Sequence, residues 1–266
     1  MYALVDSHCH LDDAAFDGDR DAAVRRAREA GVVRQVVPAV AAAGWAKLRT
    51  VCAEDPGLHA AYGLHPLALA AHRTEHLAQL RDWIERERPV AVGECGLDYF
   101  IEGPDRDAQA GWFDAQLRIA RDFDLPVIVH ARRAVDAVIL AIRHVGGLRG
   151  VVHSFSGSPQ QARQLWDLGF LLGLGGPVTY PRANRLRRLA ADMPLEFLLL
   201  ETDAPDQPDA DHRGRRNEPA RLPEVLATIA ALRGQPRALI AAATTRNACR
   251  LFRLPEPARQ GTVPDG

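Results

Sequence analysis

Short apolar runs and longer amphipathic segments alternate along almost the whole of this chain. The apolar runs lie near residues 3–6, 33–40, 58–63, 89–93, 126–130, 150–153, 170–174 and 197–202. Ala/Arg/Leu-rich stretches with helical spacing occupy 19–30, 44–54, 73–87, 106–123, 133–145, 158–168, 182–191 and 221–233. Short β-branched or leucine-rich runs read as strands buried on both faces, and the periodic stretches as helices that cover them. Eight such alternations in 266 residues predict an α/β fold, a (β/α)8 TIM barrel, which takes about 250 residues. A doubly wound sheet is the alternative, but no dinucleotide fingerprint supports it. Gly173-Leu174-Gly175-Gly176 lies in the seventh run and reads as a close backbone approach near a strand end.

No linker, low-complexity block or longer repeat interrupts the alternation, so one domain is expected over 1–254. Residues 255–266 carry Pro, Gly and polar side chains without periodicity and read as a flexible tail.

Barrel active sites form at the C-terminal ends of the strands. The chemistry-bearing residues of this chain fall there: His8 and His10 on the first run, Glu94 just past the fourth, His130 closing the fifth, His153 closing the sixth and Asp203 just past the eighth. Two imidazoles two positions apart on a strand share a face. Four imidazoles and two carboxylates exceed the three protein groups of a single catalytic zinc. They suit two divalent ions about 3.5–4 Å apart. His8, His10, Glu94 and Asp203 would hold one ion, and Glu94, His130 and His153 the other. Glu94 is then the bridge, because the only lysine, Lys47, lies in the helix after the second run and cannot serve as a carboxylated bridge. His59, His72, His76, His144 and His212 fall in helical or loop contexts and read as solvated or capping residues.

Charge narrows the partners. A formal net charge of −1 excludes a broad basic surface that coats nucleic acid, so any such contact is local. Arg213-Gly214-Arg215-Arg216 is one candidate for local positive charge, with a solvated loop as the other reading. The four cysteines are scattered, which argues against a disulfide framework or a thiolate zinc site and for a reducing compartment. The N-terminus has no signal-peptide pattern, and no run approaches the ~18 apolar residues of a membrane span. A cytoplasmic protein with no membrane partner and no obligate protein partner is expected.

The segments around these ligands match a known pattern. They are Asp6-Ser7-His8-Cys9-His10-Leu11-Asp12, Gly63-Leu64-His65-Pro66, Gly93-Glu94-Cys95-Gly96-Leu97-Asp98-Tyr99, Pro126-Val127-Ile128-Val129-His130-Ala131-Arg132, His153-Ser154-Phe155-Ser156-Gly157 and Leu200-Glu201-Thr202-Asp203-Ala204-Pro205. Together with Arg216-Asn217-Glu218-Pro219 and Asn247-Ala248-Cys249-Arg250-Leu251-Phe252, they resemble the TatD family of metal-dependent deoxyribonucleases in order and over nearly the whole chain. Gly175-Gly176-Pro177-Val178-Thr179-Tyr180-Pro181-Arg182-Ala183 resembles one branch of that family.

The resemblance implies a barrel of the metallo-dependent hydrolase type with one or two divalent cations, Zn, Mn, Ni or Mg. It implies cleavage of phosphodiester bonds, from DNA ends. The family's metal positions fall on His8, His10, Glu94, His130, His153 and Asp203. Glu94, Asp203 and His65 are the expected catalytic residues, with Asp203 as general base and His65 as a phosphate ligand or an acid near the leaving group. His65, Arg132, Ser156 and Asn217 are the expected substrate contacts; Arg132 either holds phosphate or is a rim arginine paired with a surface acid. Cys95 stands where the family carries an aliphatic residue. By strand alternation Cys95 and Cys9 should turn away from the ligands and pack as small hydrophobes. A metal-dependent amidohydrolase or deacylase on the same site is the alternative activity, and a non-catalytic metal-dependent binding protein is a further reading.

Overall fold

Eight parallel strands, each followed by at least one helix, are present among the residues described by the computed structural model, which are 2–100, 103 and 105–256. In chain order they are β1 (Leu4–Asp6), α1 (Arg20–Glu29), β2 (Val32–Pro38), α2 (Trp45–Ala53), β3 (Leu58–Tyr62), α3 (Glu75–Glu87), β4 (Ala91–Asp98) and α4 (Arg106–Asp122). Next come β5 (Val127–Arg132), α5 (Val135–Val145), β6 (Gly150–Val152), α6 (Pro159–Asp167), β7 (Phe170–Leu174), α7 (Asn184–Asp192), β8 (Leu198–Leu200), α8 (Leu222–Arg233) and α9 (Arg237–Phe252). The strands pair in sequence order, as the right-handed βαβ crossover requires of a barrel.

The eighth strand returns to the first through backbone bonds just beyond the ladders. Ser7 N–H donates to Leu200 O at 3.0 Å, Asp203 N–H to His8 O at 2.9 Å and His10 N–H to Ala204 O at 2.7 Å. These bonds bring the segments after β1 and β8 together, and both carry expected ligands.

Val5, Val36, Ala61, Ala91, Ile128, Val151, Leu171 and Leu199 form one buried cluster, a single residue from each strand. Ala248, Cys249, Leu251 and Phe252 of α9 pack on the same cluster, so α9 closes the end of the barrel opposite the strands' C-terminal ends. The larger core lies between the strands and the outer helices and contains Cys9 and Cys95, both packed as small hydrophobes, Cys95 as strand alternation predicts.

Three boundaries differ from the reading of the sequence. β1 stops at Asp6, so His8-Cys9-His10 comes after the strand instead of lying on it. The Asp6 carboxylate accepts from His8 N–H at 3.2 Å and Thr202 N–H at 3.0 Å, pulling this segment out of the ladder. β4 runs on to Asp98, so Glu94 sits within it rather than past its end. Gly93 and Gly96 resemble a turn in sequence, but a Cβ at Gly96 would lie 2.0 Å from His130 O, and its φ of +146° suits glycine. α9 has no counterpart among the expected helices, because its Ala/Thr/Arg composition hides the periodicity. The expected tail lies outside the described residues from 257 onwards.

Candidate metal centre

The Glu94 carboxylate is buried at the centre of the strands' C-terminal ends, and its two oxygens face different histidines. Oε2 lies 3.2 Å from His8 Nε2 and 3.5 Å from His10 Nε2. Oε1 lies 2.7 Å from His153 Nε2, 3.0 Å from His130 Nδ1 and 3.0 Å from His65 Nε2. Asp203 Oδ1 completes the first side, 3.4 Å from His8 Nε2 and 3.6 Å from His10 Nε2. All six expected ligands therefore converge.

Hydrogen bonds behind the rings fix their orientation. His10 Nδ1 lies 3.2 Å from Pro38 O, which can only accept, so the proton is on Nδ1 and the Nε2 lone pair faces Glu94 and Asp203. His130 Nε2 lies 2.9 Å from Asp98 Oδ2, which turns Nδ1 to the centre. This is the carboxylate-histidine arrangement that orients a metal ligand. His65 works in reverse. Its Nδ1 accepts from Leu67 N–H at 3.1 Å in the turn started by Pro66, so Nε2 carries the proton and donates to Glu94 Oε1. His65, Glu94 and His130 also meet the spacing of a metal group, but the His65 tautomer makes it a donor there and not a ligand.

Lone pairs otherwise oppose one another at this centre. His8 Nε2 and His10 Nε2 are 3.2 Å apart, His130 Nδ1 and His153 Nε2 are 3.3 Å apart, and the His8 and His153 rings stack at 3.9 Å. Protons or cations must lie between such acceptors. Burial opposes charge on Glu94, yet the surrounding imidazoles hold its carboxyl well below the usual range. Burial would also lower His153, but the charge of Glu94 overrides it and lifts the imidazole to about 10. Burial followed by the His153 charge pushes His8 down to about 4, leaving it a neutral ligand. An anionic carboxylate ringed by buried imidazoles, with a second carboxylate beside it, fits divalent metal.

The centre opens into a cavity of about 900 Å³. Its lining includes His65, Arg132 and Ser156, three of the residues named as candidate substrate contacts, together with Asp12, Asp13 and Asp206. Among the described residues no acid pairs with Arg132; its guanidinium lies 3.7 Å from the centre of the Phe100 ring. Asn217 is buried away from the cavity. Its amide nitrogen donates to Thr202 O and Asp206 O, both at 2.8 Å, which makes it a strut under the loop after β8. Arg216 turns outward onto Asp19 and the Phe16 ring, so the arginine loop does not line the mouth.

Of the remaining histidines, expected to be solvated or capping, His59 and His72 depart from that reading, while His144 is exposed. His59 lies on β3, 3.4 Å from Arg34. His72 is buried and donates to His65 O at 2.9 Å. His212 pairs with Asp209 at 2.9 Å and His144 meets Arg118 at 3.4 Å. His76 does cap, accepting from Arg73 N–H at 3.2 Å.

Four buried or half-buried polar residues at the centre are not evident from the sequence. Asp98 orients His130. Gln207 donates to Asp203 Oδ2 while its own oxygen accepts from Ser154 Oγ at 2.9 Å. Asp6, lifted by burial to about 7, holds Thr202 Oγ1 at 2.6 Å. Glu201, lifted by burial to about 8, accepts from Ser154 N–H and sits where a Cβ on Gly173 would meet its Oε2 at 1.9 Å. The glycine run is thus the close approach its sequence suggests. Position inside a ligand-bearing motif is the available signal for all but Gln207.

Comparison with known proteins places this geometry. Residues 5–253 match the family model described as TatD related DNase. The chain belongs to this family. It is 43% identical over 255 residues to the uncharacterized metal-dependent hydrolase YjjV of Escherichia coli, covering 95% of this chain and 98% of that protein. It is 34% identical over 259 residues to a 3'-5' ssDNA/RNA exonuclease TatD of Erwinia tasmaniensis, covering 94% and 100%. The crystal structure of YjjV superposes with a TM-score of 0.92 at 41% identity, over 95% of this chain and 99% of that one. The protein is a TatD-type metal-dependent hydrolase on a TIM barrel. No helix among the described residues is long and apolar enough to cross a membrane.

Proposed function

We propose that this TatD-type hydrolase cleaves phosphodiester bonds at an end of single-stranded DNA or RNA, with two divalent cations bridged by Glu94. The observation that carries the reading is the division of Glu94: Oε2 faces His8 and His10, and Oε1 faces His130 and His153. Asp203 would join the first set. When bound, such a pair of ions lowers the pKa of a shared water and polarises a phosphoryl oxygen.

The chain's own groups supply the rest. Asp203 Oδ2, held by the Gln207 amide, takes the proton of the attacking water. His65 Nε2–H, aimed by the Leu67 amide and hydrogen-bonded to Glu94 Oε1 in the free site, is placed to hydrogen-bond to the phosphate or to the departing oxygen instead. Arg132 and the Ser156 segment line the cavity where the phosphate is held. Asp12 and Asp13 come after β1 and Asp206 after β8, whereas Arg132 ends β5, across the barrel. A polyanionic strand is drawn to the Arg132 wall and repelled by the other, where three aspartates outnumber Lys47, which favours a chain end over a strand passing through.

The test is a panel of end-labelled single-stranded DNA, single-stranded RNA and duplex DNA, with simple esters and amides, each in Mg, Mn and Zn. Shortening of the single strands from one end is expected. Turnover of amides or esters with every phosphodiester intact would establish the amidohydrolase alternative instead.

A further inference from the structure

Beside the metal centre, the segment after β4 builds a stack of aromatic rings and guanidinium groups, of which the hydrolytic chemistry uses Arg132 alone. Phe100 is 44% exposed. Arg132 lies 3.7 Å and Arg133 4.6 Å from its ring centre, and Arg106 lies 4.5 Å from the neighbouring Tyr99. No described carboxylate pairs with any of these three arginines, and each guanidinium lies over an aromatic ring.

Consecutive strand residues point to opposite faces. Two adjacent arginines reach one ring here because β5 ends at Arg132 and Arg133 turns with a φ of +54°. Such a conformation is unfavourable for arginine and persists where surrounding structure enforces it. The backbone that carries the ring is held as well. Phe100 N–H donates to Asp98 Oδ1 at 2.9 Å, and Tyr99 N–H donates to Arg132 O at 2.8 Å. The other Asp98 oxygen holds His130, so one carboxylate joins this stack to a metal ligand. Arg132 both meets Phe100 and lines the main cavity.

We propose that Phe100, Arg132 and Arg133 form a stacking platform that receives an unpaired nucleobase next to the scissile phosphate. A guanidinium backed by an aromatic ring is a flat cation that stacks on any base, and a base must be out of a duplex to use it. The platform therefore selects single strands without reading their sequence. It rests on the nuclease reading for its biological substrate, but not for its measurement.

The probe is an internally fluorescein-labelled single-stranded oligodeoxynucleotide, paired with the same oligonucleotide carrying abasic residues at both termini. Anisotropy in EDTA reads binding without turnover. Wild type should prefer the intact strand by about ten-fold. F100L and R132A should bring the ratio close to one, and F100Y should retain it. Unchanged thermal unfolding of F100L separates loss of stacking from loss of fold. Equal binding of both strands by wild type, or a preference untouched in F100L and R132A, overturns the platform. Hydrolysis of the same strands with Mn separates the two claims. Cleavage without base preference removes the platform and leaves the nuclease reading standing; base preference without cleavage does the reverse.

Discussion

His130 Nε2 lies 2.9 Å from Asp98 Oδ2, on the strand that also carries Glu94. The pairing sets which nitrogen of His130 faces the centre, because a ring that donates through Nε2 presents Nδ1 as its lone pair. Gly96 pairs with His130 across the ladder, and Asp98 pairs with Arg132, so the β4–β5 register delivers the contact.

Asp98→Asn should therefore weaken metal uptake while Glu94 and the other ligands stay in place. Loss of such an outer carboxylate costs about 10–100-fold in affinity. Titration calorimetry with Zn or Mn on the metal-free protein measures it; an affinity equal to wild type would remove Asp98 from the account.

Metal binding should strengthen with pH. The His153 imidazolium, lifted to about 10 by Glu94 against the effect of burial, stabilises the ion-free fold below the ordinary histidine value of about 6.5, and that contribution is lost as pH rises through about 10. Cations need the neutral ring and displace the proton. The rise in melting temperature on adding Mn should be larger at about pH 8 than at about pH 6, and protons should be released on binding.

Gly96→Ala should be strongly destabilising, by about 2–5 kcal/mol, since the added Cβ would lie 2.0 Å from His130 O at a φ that alanine rarely adopts. Urea denaturation reads the loss. Gly18→Ala, with nothing within 4 Å of the added carbon, is the matching control and should shift stability by less than about 1 kcal/mol.

Asp203→Asn should lower kcat by about a hundred-fold or more and leave the fold intact. Asp203 has a φ of +56°, a region that asparagine tolerates as well as aspartate, so the backbone need not move. Circular dichroism and thermal unfolding check the fold; full activity in this variant would remove the proposed base.

Much of this was legible in the residues because parallel strands buried on both faces leave continuous apolar runs, and a barrel gathers the residues at the end of each run at one mouth. His130, His153 and Asp203 could be placed that way without knowing any contact. Asp98 could not, because its role depends on the register between β4 and β5. Asn217 showed the opposite failure: a motif position suggested a substrate contact, and burial made it a strut. α9 was hidden because alanine and threonine fill most of its length, and the residues that close the barrel floor, Ala248, Cys249, Leu251 and Phe252, are gathered at its end.

The division of the Glu94 carboxylate is tested most directly by crystals soaked in Mn, with anomalous diffraction collected from wild type and Glu94→Gln. The account predicts two anomalous peaks in the wild type, one on the Oε2 side among His8, His10 and Asp203 and one on the Oε1 side between His130 and His153, with at least one lost in the variant. A single peak away from Glu94, or two peaks unchanged in Glu94→Gln, would contradict it.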